Sequence, residues 1–225
     1  MKKELSHNIQ DYLKHIYELT VTGGKATTSQ LAETLGISAA SVTNMLQKLS
    51  KTDPPYLTYE KHHGAALTDT GKKAALKILR RHRLIELYLV EALNYTWDEV
   101  HKEAETLEHA VSPLLEERID AALGFPQFDP HGDPIPDAKL HLPHIKQTTL
   151  SKLEVKKSGQ IVRVPHTDSS VLRYLGKSGL RPGTHITLLS RTSYDQTMRV
   201  KIIDTDEEVI IGPELGSQIS ILVDA

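Results

Sequence analysis

The chain has 225 residues, 39% hydrophobic and 25% charged, enough material for one large domain or two to three small ones. It contains no cysteine, which excludes a disulfide framework, thiolate zinc fingers and thiol catalysis. The formal net charge of −2 suggests neither nucleic acid nor membrane, but it hides an asymmetry. Residues 1–90 hold 13 Lys/Arg against 8 Asp/Glu, and the remainder 14 against 21, as a DNA-binding front joined to a metal-binding or regulatory back would produce.

The first 19 residues begin with lysines but contain no continuous apolar run, so neither a signal peptide nor a membrane span is expected, and a cytoplasmic location fits. Residues 6–21 place Ile9, Leu13, Ile16, Tyr17 and Leu19 at helical spacing, and Gly23-Gly24 stops the helix. A short helix from Gln30 to Leu35, closed by Gly36, precedes a third helix capped by Ser38 that carries Val42, Met45, Leu46 and Leu49 on its apolar side. Small residues where helices cross, glycine in the turn and a capped second helix form a helix-turn-helix pattern. Tyr56–Glu60 and Ala65–Thr68 then read as two strands around Lys61, His62, His63 and Gly64, the wing of a winged helix. The tip histidines are expected to face the DNA backbone or solvent, because a hairpin tip converges too few ligands for a metal.

Asp69 opens a long helix to about Val90, and a further helix is expected from Trp97 to Leu123, with a break or kink at Ser112-Pro113. On it, Glu105, Glu108 and His109 share one wedge and His101 lies one turn upstream. Two carboxylates and an imidazole on one face repel unless a cation or buried protons intervene, and such donors suit manganese or ferrous iron better than copper. His82 and Glu86 repeat the one-turn spacing on the earlier helix. The simpler alternative is a solvated acidic helix face. Residues Gly124–Pro136 contain too many prolines for regular helix and predict a meandering connection. Strands are predicted at Gln160–Val164, Thr184–Ser190, Met198–Ile203, Glu208–Ile211 and Ile219–Val223, forming a small antiparallel barrel.

The segments Asp11-Tyr12-Leu13 with Ile16-Tyr17-Glu18-Leu19, Arg81-His82-Arg83-Leu84-Ile85-Glu86, and Glu103-Ala104-Glu105 with Glu108-His109 resemble the signatures of the diphtheria-toxin-repressor and manganese-transport-regulator family. The resemblance covers nearly the whole chain. It implies a mainly α protein with a small β domain: a winged helix-turn-helix over 1–73, metal-binding and dimerisation helices over 74–140, a linker over 141–150 and an SH3-like, FeoA-like barrel over 151–225. It further implies a homodimeric repressor that binds palindromic operator DNA when a divalent metal is bound and controls metal-uptake genes. No organic substrate and no membrane are expected.

Carried over by position, the resemblance implies a primary metal site of Asp11, Glu105, Glu108 and His109 and an ancillary site of His82, Glu86 and His101. Asp129, His131, His166 and Asp168 are further candidates from the linker and barrel. The iron branch resembles this chain but has methionine and cysteine where Asp11 and Glu105 stand. Hard oxygen in place of sulfur favours Mn2+, with Fe2+ the alternative and other divalent ions able to substitute in vitro. Lys14 stands where some two-domain manganese regulators have glutamate, so their paired-ion arrangement is not expected. DNA contacts are expected from Ser38, Ala39, Ala40, Ser41, Asn44, Gln47 and Lys48 on the recognition helix, and from Lys61 and His62 on the wing. Two other classes compete with this one. A metallohydrolase is disfavoured because the Glu105–His109 run has Glu where the H-x-x-E-H motif needs His, so no enzyme is expected. A regulator answering an organic ligand would leave the acidic cluster as mere surface.

Overall fold

The computed structural model describes residues 5–21, 23–166 and 168–224. They form two compact units, one up to Arg81 with Pro136–His141, the other His82–Ile135 with the chain from Leu142 onward.

The first unit starts with α1 (His7–Thr20), whose Leu13 and Ile16 fall on one helical face and are fully buried. Each such side chain contributes about 1.5–3 kcal/mol by leaving water. Helix α2 (Thr28–Leu35) begins with a capping box between Thr27 and Gln30 and ends at the left-handed Gly36. Helix α3 (Ala39–Ser50) is capped by the Ser38 side chain, which accepts from the Ser41 N–H. Val42, Leu46 and Leu49 of α3 pack into the same core as Leu13, Ile16 and Leu31. Strands β1 (Leu57–Glu60) and β2 (Gly64–Leu67) pair antiparallel, and Ala26 bridges to Ala65 alongside them. The expected winged helix-turn-helix is present.

Helix α4 (Asp69–Leu93) runs on into the second unit, where α5 (Val100–Leu107) and α6 (Pro113–Ala122) follow. The expected helix from Trp97 to Leu123 is therefore two. Ser112 accepts from the Leu115 N–H and Pro113 occupies the first turn, where its missing N–H costs nothing, so the chain breaks rather than kinks. Beyond residue 147 lie β3 (Thr148–Thr149), β4 (Ser158–Arg163), α7 (Ser169–Lys177), β5 (His185–Arg191), β6 (Met198–Ile202), β7 (Glu208–Ile211), α8 (Pro213–Gln218) and β8 (Ser220–Val223). The six strands form one antiparallel sheet in the order β3-β8-β4-β5-β6-β7. Alternation along β6 sends Met198, Val200 and Ile202 inward to a core shared with Leu172 and Leu175 of α7 and with Trp97. Sequence periodicity located the longer strands to within about two residues, but α7, α8 and the two-residue β3 went unforeseen. Among the described residues, no helix is long and apolar enough to cross a membrane.

Candidate metal centre and DNA-reading face

On α4, His82 and Glu86 are one turn apart and both buried; α5 brings His101 against them. His82 Nε2, Glu86 Oε1 and His101 Nδ1 form a triangle with sides of 3.0, 3.0 and 3.1 Å. Donors around one divalent ion with bonds of roughly 2.1 Å stand roughly 3.0–3.4 Å apart, so the triangle matches one coordination face. Behind it, His82 Nδ1 meets Glu108 Oε2 at 2.5 Å. Glu108 accepts there, so the proton sits on Nδ1 and the Nε2 lone pair faces the triangle, where it can take a proton or a cation.

The proline-rich loop supplies a second group. Asp129 Oδ1 accepts the N–H groups of His131 at 2.8 Å and Asp133 at 2.9 Å, which curls the loop back on itself. Arg83 holds that curl from α4, donating to the Pro134 carbonyl at 2.5 Å and lying 3.7 Å from Asp129 Oδ2 and 3.5 Å from Asp133 Oδ1. Gly132 lies at the apex with φ +89°, and a Cβ there would sit 1.9 Å from the Val162 carbonyl oxygen. His131 is wholly buried; its Nε2 donates to the Trp97 carbonyl at 2.7 Å, and its ring stacks between those of Trp97 and His166. That bond leaves Nδ1 buried without a hydrogen-bond partner, 3.7 Å from Glu86 Oε2. A ring nitrogen orphaned in this way inside a protein is rare unless something absent completes it.

Glu86 is the shared member, belonging to one convergent group with His82 and His101 and another with Asp129 and His131. Burial opposes its ionisation, but the imidazoles of His82, His101 and His131 outweigh that and hold it well below the usual carboxylate range. Burial, reinforced by the carboxylates of Asp133 and Glu86, pushes Asp129 up to about 7. For His131, burial works against protonation, yet Glu86 and Asp129 prevail and raise it to about 9. Protons are thus drawn to the spot where positive charge is needed, and a divalent cation meets the same need. The donors are nitrogen and oxygen only, which fits a hard to borderline ion.

His82, Glu86 and His101 come together as the sequence suggested, and His131 and Asp129 join them. His166 stands 2.9 Å from Asp133 Oδ2. Asp168 is exposed and engaged as the cap of α7, accepting from the Ser170 N–H, outside these groups. Glu108 is the C-cap of α5 and wholly buried, and His109 Nε2 is 3.6 Å from its other oxygen. Glu105 is exposed and lies 3.6 Å from His101 Nε2. Asp11 is half-buried on α1 of the first unit. Three participants escaped sequence reading: Arg83, Asp133 and the Trp97 carbonyl. Asp133 had a signal, since Asp129 and Asp133 flank the loop histidine symmetrically; a main-chain carbonyl has none.

In the first unit, Ser38, Ala39, Ala40, Ser41, Asn44, Gln47 and Lys48 are all exposed. Ser41, Asn44 and Lys48 follow one another at helical spacing, the face opposite the buried Val42, Leu46 and Leu49. Lys61 and His62 are exposed at the wing tip, His62 with φ 68°. Such a face suits direct reading of a major groove.

Three family descriptions match the chain in succession: iron-dependent repressor N-terminal DNA-binding domain over residues 4–65, iron-dependent repressor metal-binding and dimerisation domain over 68–137, and FeoA domain over 148–222. A manganese-dependent transcriptional repressor solved in complex with manganese is 38% identical, superposes with a TM-score of 0.88, and is matched over 96% of this chain and 100% of its own. The transcriptional regulator MntR of Geobacillus kaustophilus is 34% identical over 122 residues, 54% of this chain and 84% of the relative. The iron-dependent repressor IdeR of Mycobacterium tuberculosis is 32% identical over 133 residues, 59% of this chain, and the match spans only 57% of that relative.

Proposed function

This chain belongs to the diphtheria-toxin-repressor and manganese-transport-regulator family of metal-dependent transcriptional repressors, which are not enzymes, and on that premise we propose that it is a manganese-activated repressor of metal-uptake genes. It acts as a homodimer on palindromic operator DNA. The observation that carries a metal effector is the convergence of Glu86, His82, His101 and His131, three imidazoles and a carboxylate with no sulfur among them. Carboxylate oxygen from Asp11 and Glu105, where the iron branch has sulfur, favours Mn2+ over softer ions, and Fe2+ is the nearest competitor.

In this reading Glu86 Oε1, His82 Nε2 and His101 Nδ1 hold one ion, with Asp129 and His131 completing its surroundings. Asp11, Glu105, Glu108 and His109 hold another. Bound metal supplies concentrated positive charge and fixed coordination directions. The protein does the rest: Glu108 fixes the ring of His82, the Trp97 carbonyl fixes that of His131, and Arg83 holds the loop. Asp11 stands on the DNA-binding unit and its co-ligands do not, so a shared ion favours the DNA-competent arrangement. Such coupling is typically about 1–3 kcal/mol. Ser38, Ser41, Asn44 and Gln47 then read base edges or phosphates, and Lys48, Lys61 and His62 the backbone.

Operator binding measured anaerobically against free Mn2+, Fe2+ and Zn2+ tests the reading. Half-maximal binding should fall within the free Mn2+ range a cell maintains and shift towards Fe2+ in an Asp11→Met, Glu105→Cys double variant. Operator binding that ignores every ion would overturn it.

A further inference from the structure

The second unit also holds a hollow of about 440 Å³, lined by none of the metal donors, between the segment that precedes α5 and the C-terminal half of α7. Its lining is electropositive: Arg173 and Lys177 from α7 and Arg181 from the loop that follows, against the single carboxylate of Asp98. Arg173 donates to Asp98 at 3.1 Å. No ion pair is found for Lys177 or Arg181 among the described residues.

The Arg181 guanidinium lies 4.8 Å above the Trp97 ring. Stacking of this kind stabilises the cation and leaves the guanidinium N–H edges available. It also limits the freedom the side chain would lose on binding, which favours a planar, two-pronged grip on an oxyanion. Gly176 makes room for the stack, because a Cβ there would lie 3.1 Å from both Arg181 Nη2 and Trp97 Nε1. The indole itself is almost wholly buried in the core of the sheet, so the platform under Arg181 is fixed. Three cations, one already neutralised, around a hollow with a rigid aromatic wall suit a compact anion of two or more charges better than a neutral molecule.

We propose that this hollow is a binding site for a compact multivalent oxyanion of the phosphate or sulfate kind, gripped by Arg181 and Lys177 with Arg173 at its edge. The site uses none of the metal donors and does not depend on the effector being manganese.

Trp97 is the sole tryptophan of the chain, so its fluorescence reports the hollow it lines together with the His131 ring stacked on it, and the dialysis and the variants separate the two. The probe is inorganic phosphate, titrated into metal-free full-length protein against chloride at equal ionic strength, with labelled phosphate followed by equilibrium dialysis in parallel. The expected result is a saturable change in indole emission that tracks about one bound phosphate. Arg181→Gln and Lys177→Gln should each weaken retention at least about tenfold, as loss of a charge-assisted hydrogen bond does. Lys48→Gln, on the DNA-reading face, should leave retention unchanged. Retention no greater than in the chloride control, retention indifferent to both hollow variants, or retention lost with Lys48→Gln would each overturn the proposal.

Discussion

On α3 every candidate DNA contact projects into solvent from a helix whose cap, turn and buried face all lie within a dozen neighbouring residues. The Glu86 centre is built the other way. His82 and Glu86 come from α4, His101 and Glu108 from the α5 segment, and Asp129 and His131 from a loop more than forty residues beyond Glu86, all turned inward. The first arrangement lets one side chain change while its neighbours stay put. In the second, Glu86, His82, His101 and Glu108 lean on one another, so one substitution leaves several of these groups without a partner. Adaptable reading and exacting metal recognition thus reside in different kinds of architecture.

The largest break in that contrast should come from Glu86→Gln, which keeps the volume and removes the shared charge. Titration calorimetry is expected to show Mn2+ affinity at the centre reduced by about 100-fold or more. An unchanged ion count and affinity would mean that Glu86 is a structural ion-pair member and nothing else.

Gly132→Ala tests whether the loop backbone, rather than its side chains, enforces the geometry. A methyl group 1.9 Å from the Val162 oxygen, at a left-handed φ, cannot fit without moving the loop. The expected cost is roughly 2 kcal/mol of stability, read by denaturant unfolding, together with weaker Mn2+ binding. Full retention of both would show that the loop accommodates other shapes.

Smaller effects are expected on α3. Asn44→Ala should lower the preference for operator over random duplex by about 1–2 kcal/mol, while Lys48→Ala should weaken both duplexes alike and reduce the salt slope by about one. Neither should change Mn2+ affinity measured without DNA. If Lys48→Ala altered sequence preference instead, its role as a phosphate contact would be wrong.

The same contrast explains what could be read from the residues. Ser38, Gly36 and the Val42–Leu46–Leu49 stripe announce the helix-turn-helix because caps, turns and helical period are local properties. The pair His82–Glu86 was legible for the same reason. The bond between His82 and Glu108 joins residues assigned to separate sites, and it follows from how α4 and α5 pack, which spacing does not encode. Asp168 shows the converse: a carboxylate read as a candidate ligand sits before two serines and caps a helix that was not foreseen. His131 could be recognised as a candidate, but its orphaned Nδ1 depends on a backbone carbonyl 34 residues away.

Anomalous diffraction at the manganese absorption edge, from crystals grown with Mn2+, tests the central claim most directly. The account predicts a peak within bonding distance of Glu86 Oε1, His82 Nε2 and His101 Nδ1, with His131 turned towards it. Strong anomalous peaks elsewhere in the molecule, with none beside Glu86, would contradict it.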